Sequence, residues 1–75
     1  MRLSEIVQAL EDAGMNITVS FEGSDDLDPG VIVDNKFIVQ LAEYCEKPIF
    51  VDDMYCQELG EFETVNEAIT FIRRK

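Results

Sequence analysis

Between Ser4 and Gly14 the apolar residues Ile6, Leu10 and Ala13 recur at i, i+4 and i+7, and Val7 widens their stripe. That spacing predicts a helix. Ser4 can act as its N-cap and Glu5 meets the positive end of its dipole. Gly14 supplies the residue that best tolerates the left-handed stop. From Asn16 to Glu22 the period changes to two, with Ile17, Val19 and Phe21 on one side and Thr18, Ser20 and Glu22 on the other. β-branched and aromatic residues in alternation predict a half-buried strand. An acidic loop, "GSDDLDPG" at residues 23–30, follows it, and "VIV" after that reads as a short second strand.

The middle of the chain admits two readings. From Asp34 onward Lys36, Gln40, Glu43 and Lys47 share one helical face, and Phe37, Ile38, Leu41, Ala42 and Cys45 share the opposite one. Asp34 would cap this helix, and Pro48 would end it by disfavouring helical geometry at Lys47. The competing reading is a hairpin, "VIVDNKFIVQL", turning at Asp34-Asn35. The helix is preferred because both the polar and the apolar set keep its period.

Beyond Pro48, "PIFVDD" and "MYCQELGEFE" read as strands paired around a turn at Asp52-Asp53. The last segment, "TVNEAITFIRRK", opens on a capping box between Thr64 and Glu67, with Val65, Ala68, Ile69 and Ile72 as its buried stripe. Arg73, Arg74 and Lys75 fall at the negative end of its dipole, so the basic tail has a local explanation. The expected architecture is one α+β domain over residues 1–75, in the order α-β-β-α-β-β-α. Three helices would pack on a short antiparallel or mixed sheet.

Composition then constrains function. An apolar share of 47% in 75 residues suits one small folded core and no second one. A chain of this length buries only about 60% of its unfolded surface, so homodimerisation or docking on a partner would add to a small stability margin. The apolar runs are too short to span a membrane, and "MRLSEIVQAL" lacks the core of a signal peptide, so a cytoplasmic location is expected.

Charge is the strongest signal: sixteen acids against six bases and no histidine give a net charge of −10. No Lys or Arg occurs between Leu3 and Asn35, nor between Pro48 and Ile72. Such a chain is repelled by nucleic acid and by anionic membranes, and is drawn to basic protein surfaces, which nucleic-acid-binding proteins commonly carry. The bland reading is that acidity serves solubility alone.

Specific chemistry finds little material. An EF-hand frame starting at Ser24 places Asp26 and Asp28 correctly but puts Pro29 at the sharp turn and Asn35 at the final ligand. A frame starting at Asp26 puts Val31 at the turn and Phe37 at the end. No metal site is expected. Cys45 and Cys56 have no histidine or CxxC pairing to make a zinc site, and are expected to be reduced and largely buried. Without histidine a cysteine nucleophile lacks its usual base, and neither GxSxG nor a glycine-rich phosphate loop is present. The adjacent pairs Asp25-Asp26 and Asp52-Asp53 need not converge on a bond. The expectation is a non-enzyme without cofactors.

The stretch "DDLDPGVIVDNKFIVQLAEYCEKPIFVDD", with "TVNEAITFI" after it, is similar in spacing to acyl carrier proteins. Size, acidity, an opening helix, an acidic central helix and a closing TV-led helix carry the resemblance, which covers about half the chain. It implies a carrier-like or structural domain. The phosphopantetheine serine of that family, in a D-S-L triplet, corresponds here to Gly30-Val31-Ile32, and Ser24 lies too far upstream to replace it. A degenerate carrier is therefore the alternative. The leading expectation is a non-catalytic acidic binding module that docks on a basic protein surface and blocks a nucleic-acid site as a phosphate mimic. In size and charge it is similar to phage inhibitors of host nucleic-acid enzymes, anti-CRISPR proteins included. The expected contacts are Glu22, Asp25, Asp26 and Asp28 from one acidic segment and Asp52, Asp53, Glu58 and Glu61 from the other. Together they would make one negative patch if the two segments adjoin.

Overall fold

In a computed structural model, which describes residues 2–75, two terminal helices cover one face of a five-stranded antiparallel sheet. Helix α1 (Leu3–Asp12) is followed by strands β1 (Ile17–Phe21), β2 (Gly30–Val33), β3 (Phe37–Leu41), β4 (Ile49–Asp53) and β5 (Glu58–Phe62), then helix α2 (Val65–Arg73). Strand order equals chain order, so the sheet is a simple meander with β1 and β5 as its edges. This corrects the expected three helices on a short sheet.

The helix expected from Asp34 to Lys47 does not form. Residues Phe37–Leu41 are a central strand, and the chain turns at Asp34-Asn35 to reach it. Both turn residues have φ near +55°, at 55° and 56°, the left-handed geometry that tight hairpins demand and that Asp and Asn tolerate best. Lys36 N donates to Val33 O at 3.0 Å across the turn. Asp34 also accepts from Asn16 N at 3.0 Å through Oδ1, which ties the start of β1 to the hairpin instead of capping a helix. The helical reading fails because "FIVQL" carries apolar residues on both faces of its strand, and two-sided apolarity imitates a helical stripe. The segment that resembles an acyl carrier is therefore mostly sheet, where an all-helical carrier would have its central helix.

Both terminal helices lie where expected, with one change of cap. Arg2 precedes the first turn of α1 without a side-chain cap bond, and Ser4 lies inside the helix. Gly14 takes φ +80° just after it. At α2 half of the box forms: Thr64 Oγ1 accepts from Glu67 N at 3.3 Å, while Glu67 Oε1 accepts from the Thr64 hydroxyl at 3.3 Å in place of its backbone N–H. Arg73 Nη2 donates to Ala13 O at 2.8 Å, joining the ends of the two helices. Ile6 and Leu10 of α1 and Ala68, Ile69 and Ile72 of α2 pack on Val31, Val33, Val39, Leu41, Ile49 and Val51.

Two register shifts decide which side chains reach the uncovered face. Ile17 pairs with Val33 but Val19 pairs with Ile32, so Thr18 is an extra residue in β1. Ile17 therefore faces the helices while Val19 and Phe21 face the other way, which corrects the expectation that all three share a side. In β5, Gly60 pairs with Val51 and Glu58 with Asp52, so Leu59 is the extra residue. The turn between β4 and β5 falls at residues 54–57, beyond the expected Asp52-Asp53, and both aspartates belong to β4.

Candidate functional site: the uncovered face of the sheet

Alternation along each strand assigns every residue to the helix side or to the open side. On the open side cross-strand neighbours form two rows. One runs Val19, Ile32, Ile38, Asp52, Glu58, and the other Phe21, Gly30, Gln40, Phe50, Glu61. Val19, Phe21, Ile32 and Ile38 make the part nearest β1 apolar, Phe50 of β4 extends it beyond Gln40, and Asp52, Glu58 and Glu61 are the acids on the side of β5. Val19 is 50% exposed, and Phe21, Ile32, Ile38 and Phe50 are half-buried. Gly30 is required within this surface, because a Cβ there would come within 2.9 Å of the Phe21 ring and 2.7 Å of Val39 O.

Asp52, Glu58 and Glu61 are brought together at the β4–β5 corner. Burial pushes the Asp52 carboxyl above its ordinary range, and the charge of Asp53 adds to this. Glu58 is pushed upward as well, first by the hydrogen bond that its protonated form can donate to Glu61, then by burial, then by the charges of Glu61 and Asp52. Each influence on these two groups disfavours the ionised form. The arrangement is electrostatically uphill, and a basic partner would relieve it.

Asp53 takes no part in this surface. Its side chain accepts from Tyr55 N at 2.8 Å and from Gln57 N at 2.9 Å, and so organises the β4–β5 turn. Cys56 completes that turn with φ 65°. It is exposed and Cys45 is half-buried, both as free thiols, which corrects the expectation that the two are largely buried.

The other acidic segment lies across the sheet, on the connection from β1 to β2. Ser24 and Leu27 exchange backbone hydrogen bonds at 2.7 and 3.3 Å, which puts Asp25 and Asp26 at the tip of a tight exposed turn. Asp28 Oδ2 accepts from the Tyr44 hydroxyl at 3.1 Å, and this hydrogen bond and the aspartate charge raise the phenol above its ordinary value. Glu22 is exposed just after β1. At about 4.8 Å per strand spacing, β1 and β5 stand roughly 19 Å apart. Glu22, Asp25, Asp26 and Asp28 therefore do not join Asp52, Glu58 and Glu61 in one patch. Among the described residues, no group of three or more acidic, Cys or His side chains is arranged to hold a metal ion. No helix among them is long and apolar enough to cross a membrane.

Sequence reasoning found the carboxylates of this surface but missed its apolar half. Val19, Phe21, Ile32, Ile38 and Phe50 share a face only through a strand pairing that a helix over residues 34–47 would abolish, and through the extra residue Thr18. The available signal was the hairpin pair Asp34-Asn35 between two β-branched runs. No protein-family model, curated protein or solved structure matches the chain.

Proposed function

We propose that the protein is a non-catalytic acidic binding module whose open sheet face docks on a basic protein surface. The observation that carries this reading is the composition of that face: an apolar half at Val19, Phe21, Ile32, Ile38 and Phe50 beside mutually repelling carboxylates at Asp52, Glu58 and Glu61. An apolar centre with a charged rim is how protein interfaces divide affinity from steering. A chain of net charge −10 adds long-range attraction to any basic partner. Nucleic-acid-binding proteins are the partners whose surfaces best match it, and there the three carboxylates would stand where phosphates do. The solubility reading explains acidity but gives no reason for grouping like charges at an apolar border.

The test begins with recovery of the partner from source cells at low salt, identified by mass spectrometry. Affinity for that purified partner is then measured from 0.1 to 1 M salt, over which the Debye length falls from about 10 Å to about 3 Å. Binding should weaken steeply with salt. The combined Asp52→Asn, Glu58→Gln, Glu61→Gln variant should flatten that salt dependence, and Phe50→Ser should weaken binding at every salt concentration. The combined Asp25→Asn, Asp26→Asn, Asp28→Asn variant should lose less than the β4–β5 one. Salt-insensitive binding that all variants retain would remove the open face from consideration.

A further inference from the structure

The same extra residue that moves Val19 and Phe21 to the open side leaves Ser20 facing the helices, opposite Val31. Ser20 is small, polar and exposed, so it does not fill the space between β1 and α1. A surface cleft of about 550 Å³ occupies that space, lined by Leu3 and Val7 of α1, by Ser20, Phe21 and Glu22, and by Pro29. One wall of the cleft is an edge strand. No segment pairs with β1 on the side away from β2 among the described residues, so its outward backbone N–H and C=O groups are free to pair.

The two edges of the sheet are protected very differently. Strand β5 carries Glu58 and Glu61 and is irregular at Leu59, features that discourage pairing. Strand β1, "ITVSF", has no charged residue and no proline, and its irregularity at Thr18 leaves Val19–Phe21 regular. Apolar side chains and a row of unmet backbone groups, with a helix along one side, suit an extended peptide added as a sixth strand.

Charge selects the occupant. Glu22 borders the cleft and Asp25 and Asp26 stand on the loop just beyond it, so three carboxylates face the one neighbouring cation, Arg2, which precedes Leu3 at the start of α1. A second copy of the chain would bring another −10 to the contact and is disfavoured there. We infer that the edge of β1 and the cleft beneath α1 bind an extended basic peptide by strand addition. Alternate apolar side chains enter against Leu3, Val7 and Pro29, and Lys or Arg side chains lie toward Glu22 and the acidic turn. This surface is distinct from the β4–β5 acidic corner, and the inference stands whether or not that corner binds a partner.

The probe is a pool of synthetic peptides of about ten residues, enough to cover β1, alternating Lys or Arg with apolar residues. Binding is read by amide chemical shifts of the isotope-labelled protein. The expected result is perturbation concentrated at residues 17–22 and 3–8. Two derivatives of the best binder then carry N-methyl groups on alternate amides in the two opposite phases. One phase should weaken binding about tenfold or more, because it removes the donors that face β1, and the other should leave it unchanged. Ser20→Arg, which fills the cleft and adds a cation at an exposed position, should also weaken binding about tenfold. Asp52→Asn should change it less than about twofold. Loss of binding to Asp52→Asn with the peptide effects absent would place the site at the β4–β5 corner. The inference is overturned by equal binding of both methylated phases, by perturbation centred on β5, or by no binding from the pool. A doubled mass in light scattering without peptide, accompanied by amide shifts at residues 17–22 on dilution, would overturn it too, by showing that β1 pairs with a second copy.

Discussion

On the helix side of the sheet, Val31, Val39 and Val51 form a cross-strand row with no exposed surface. One residue further along the same strands, Ile32, Ile38 and Asp52 form a row that stays partly exposed and changes from apolar to acidic. The helix-side row is dictated by folding, since a chain of this length has one core and must fill it. The open row has no such obligation. A fold of this kind is stable with polar residues on its open face, as antiparallel sheets commonly are. The apolar residues of the open face, Phe50 of β4 included, and the acids at β4–β5 are therefore surplus to the fold's needs, which is why the functional reading rests there.

The two faces differ most steeply between adjacent positions of β4. Ile49 has no exposed surface and Phe50, its neighbour on the open face, is half-buried. Ile49→Ala should cost about 2–5 kcal/mol, a large share of the margin available to a small domain. Phe50→Ser should cost about 1 kcal/mol in stability while weakening binding to the partner. Urea unfolding midpoints at constant slope would measure both. Comparable losses at the two sites would mean that the open face is part of the core and not a docking surface.

A smaller effect tests the hairpin on which both rows depend. Asn35→Val places a β-branched residue at φ 56°, where it should cost about 1–2 kcal/mol and lower Tm by roughly 4–16 °C. The same unfolding experiment checks this. An unchanged Tm would show that the turn does not hold this geometry and would reopen the helical reading of residues 34–47.

The smallest effect concerns the acidic corner. Burial and Asp53 raise the Asp52 carboxyl in the folded state above its ordinary 3.8. A carboxylate raised by folding favours the folded protein when protonated, and that contribution is lost as pH rises through the folded value. At neutral pH ionised Asp52 is thus mildly destabilising. Asp52→Asn should raise Tm by on the order of a degree at pH 7, and the advantage should shrink as pH falls toward 3.8. Thermal unfolding across that range would show it. A lower Tm for the variant at pH 7 would mean that Asp52 has a stabilising partner, and the corner would lose its character as an unrelieved cluster.

Local chemistry alone determined much of this molecule. The stripes of α1 and α2, the Thr64–Glu67 box, the stop at Gly14 and the existence of strands around Ile17–Phe21 and Ile49–Asp53 were all legible, because each depends on neighbours within a few residues. The acids of the candidate site were legible too, as residue types. What only the tertiary structure decided was their company. Phe37–Leu41 became a strand because pairing with β2 and β4 satisfies its backbone on both sides, and no residue within the segment reports those partners. Thr18 and Leu59 shift the register, so they decide which face Val19, Phe21 and Glu58 occupy, and a one-residue shift inverts every assignment beyond it. The two acidic segments end up at opposite edges because the meander puts β1 and β5 farthest apart. Helices are specified by contacts close in sequence, whereas the face and the order of strands are specified by contacts distant in it.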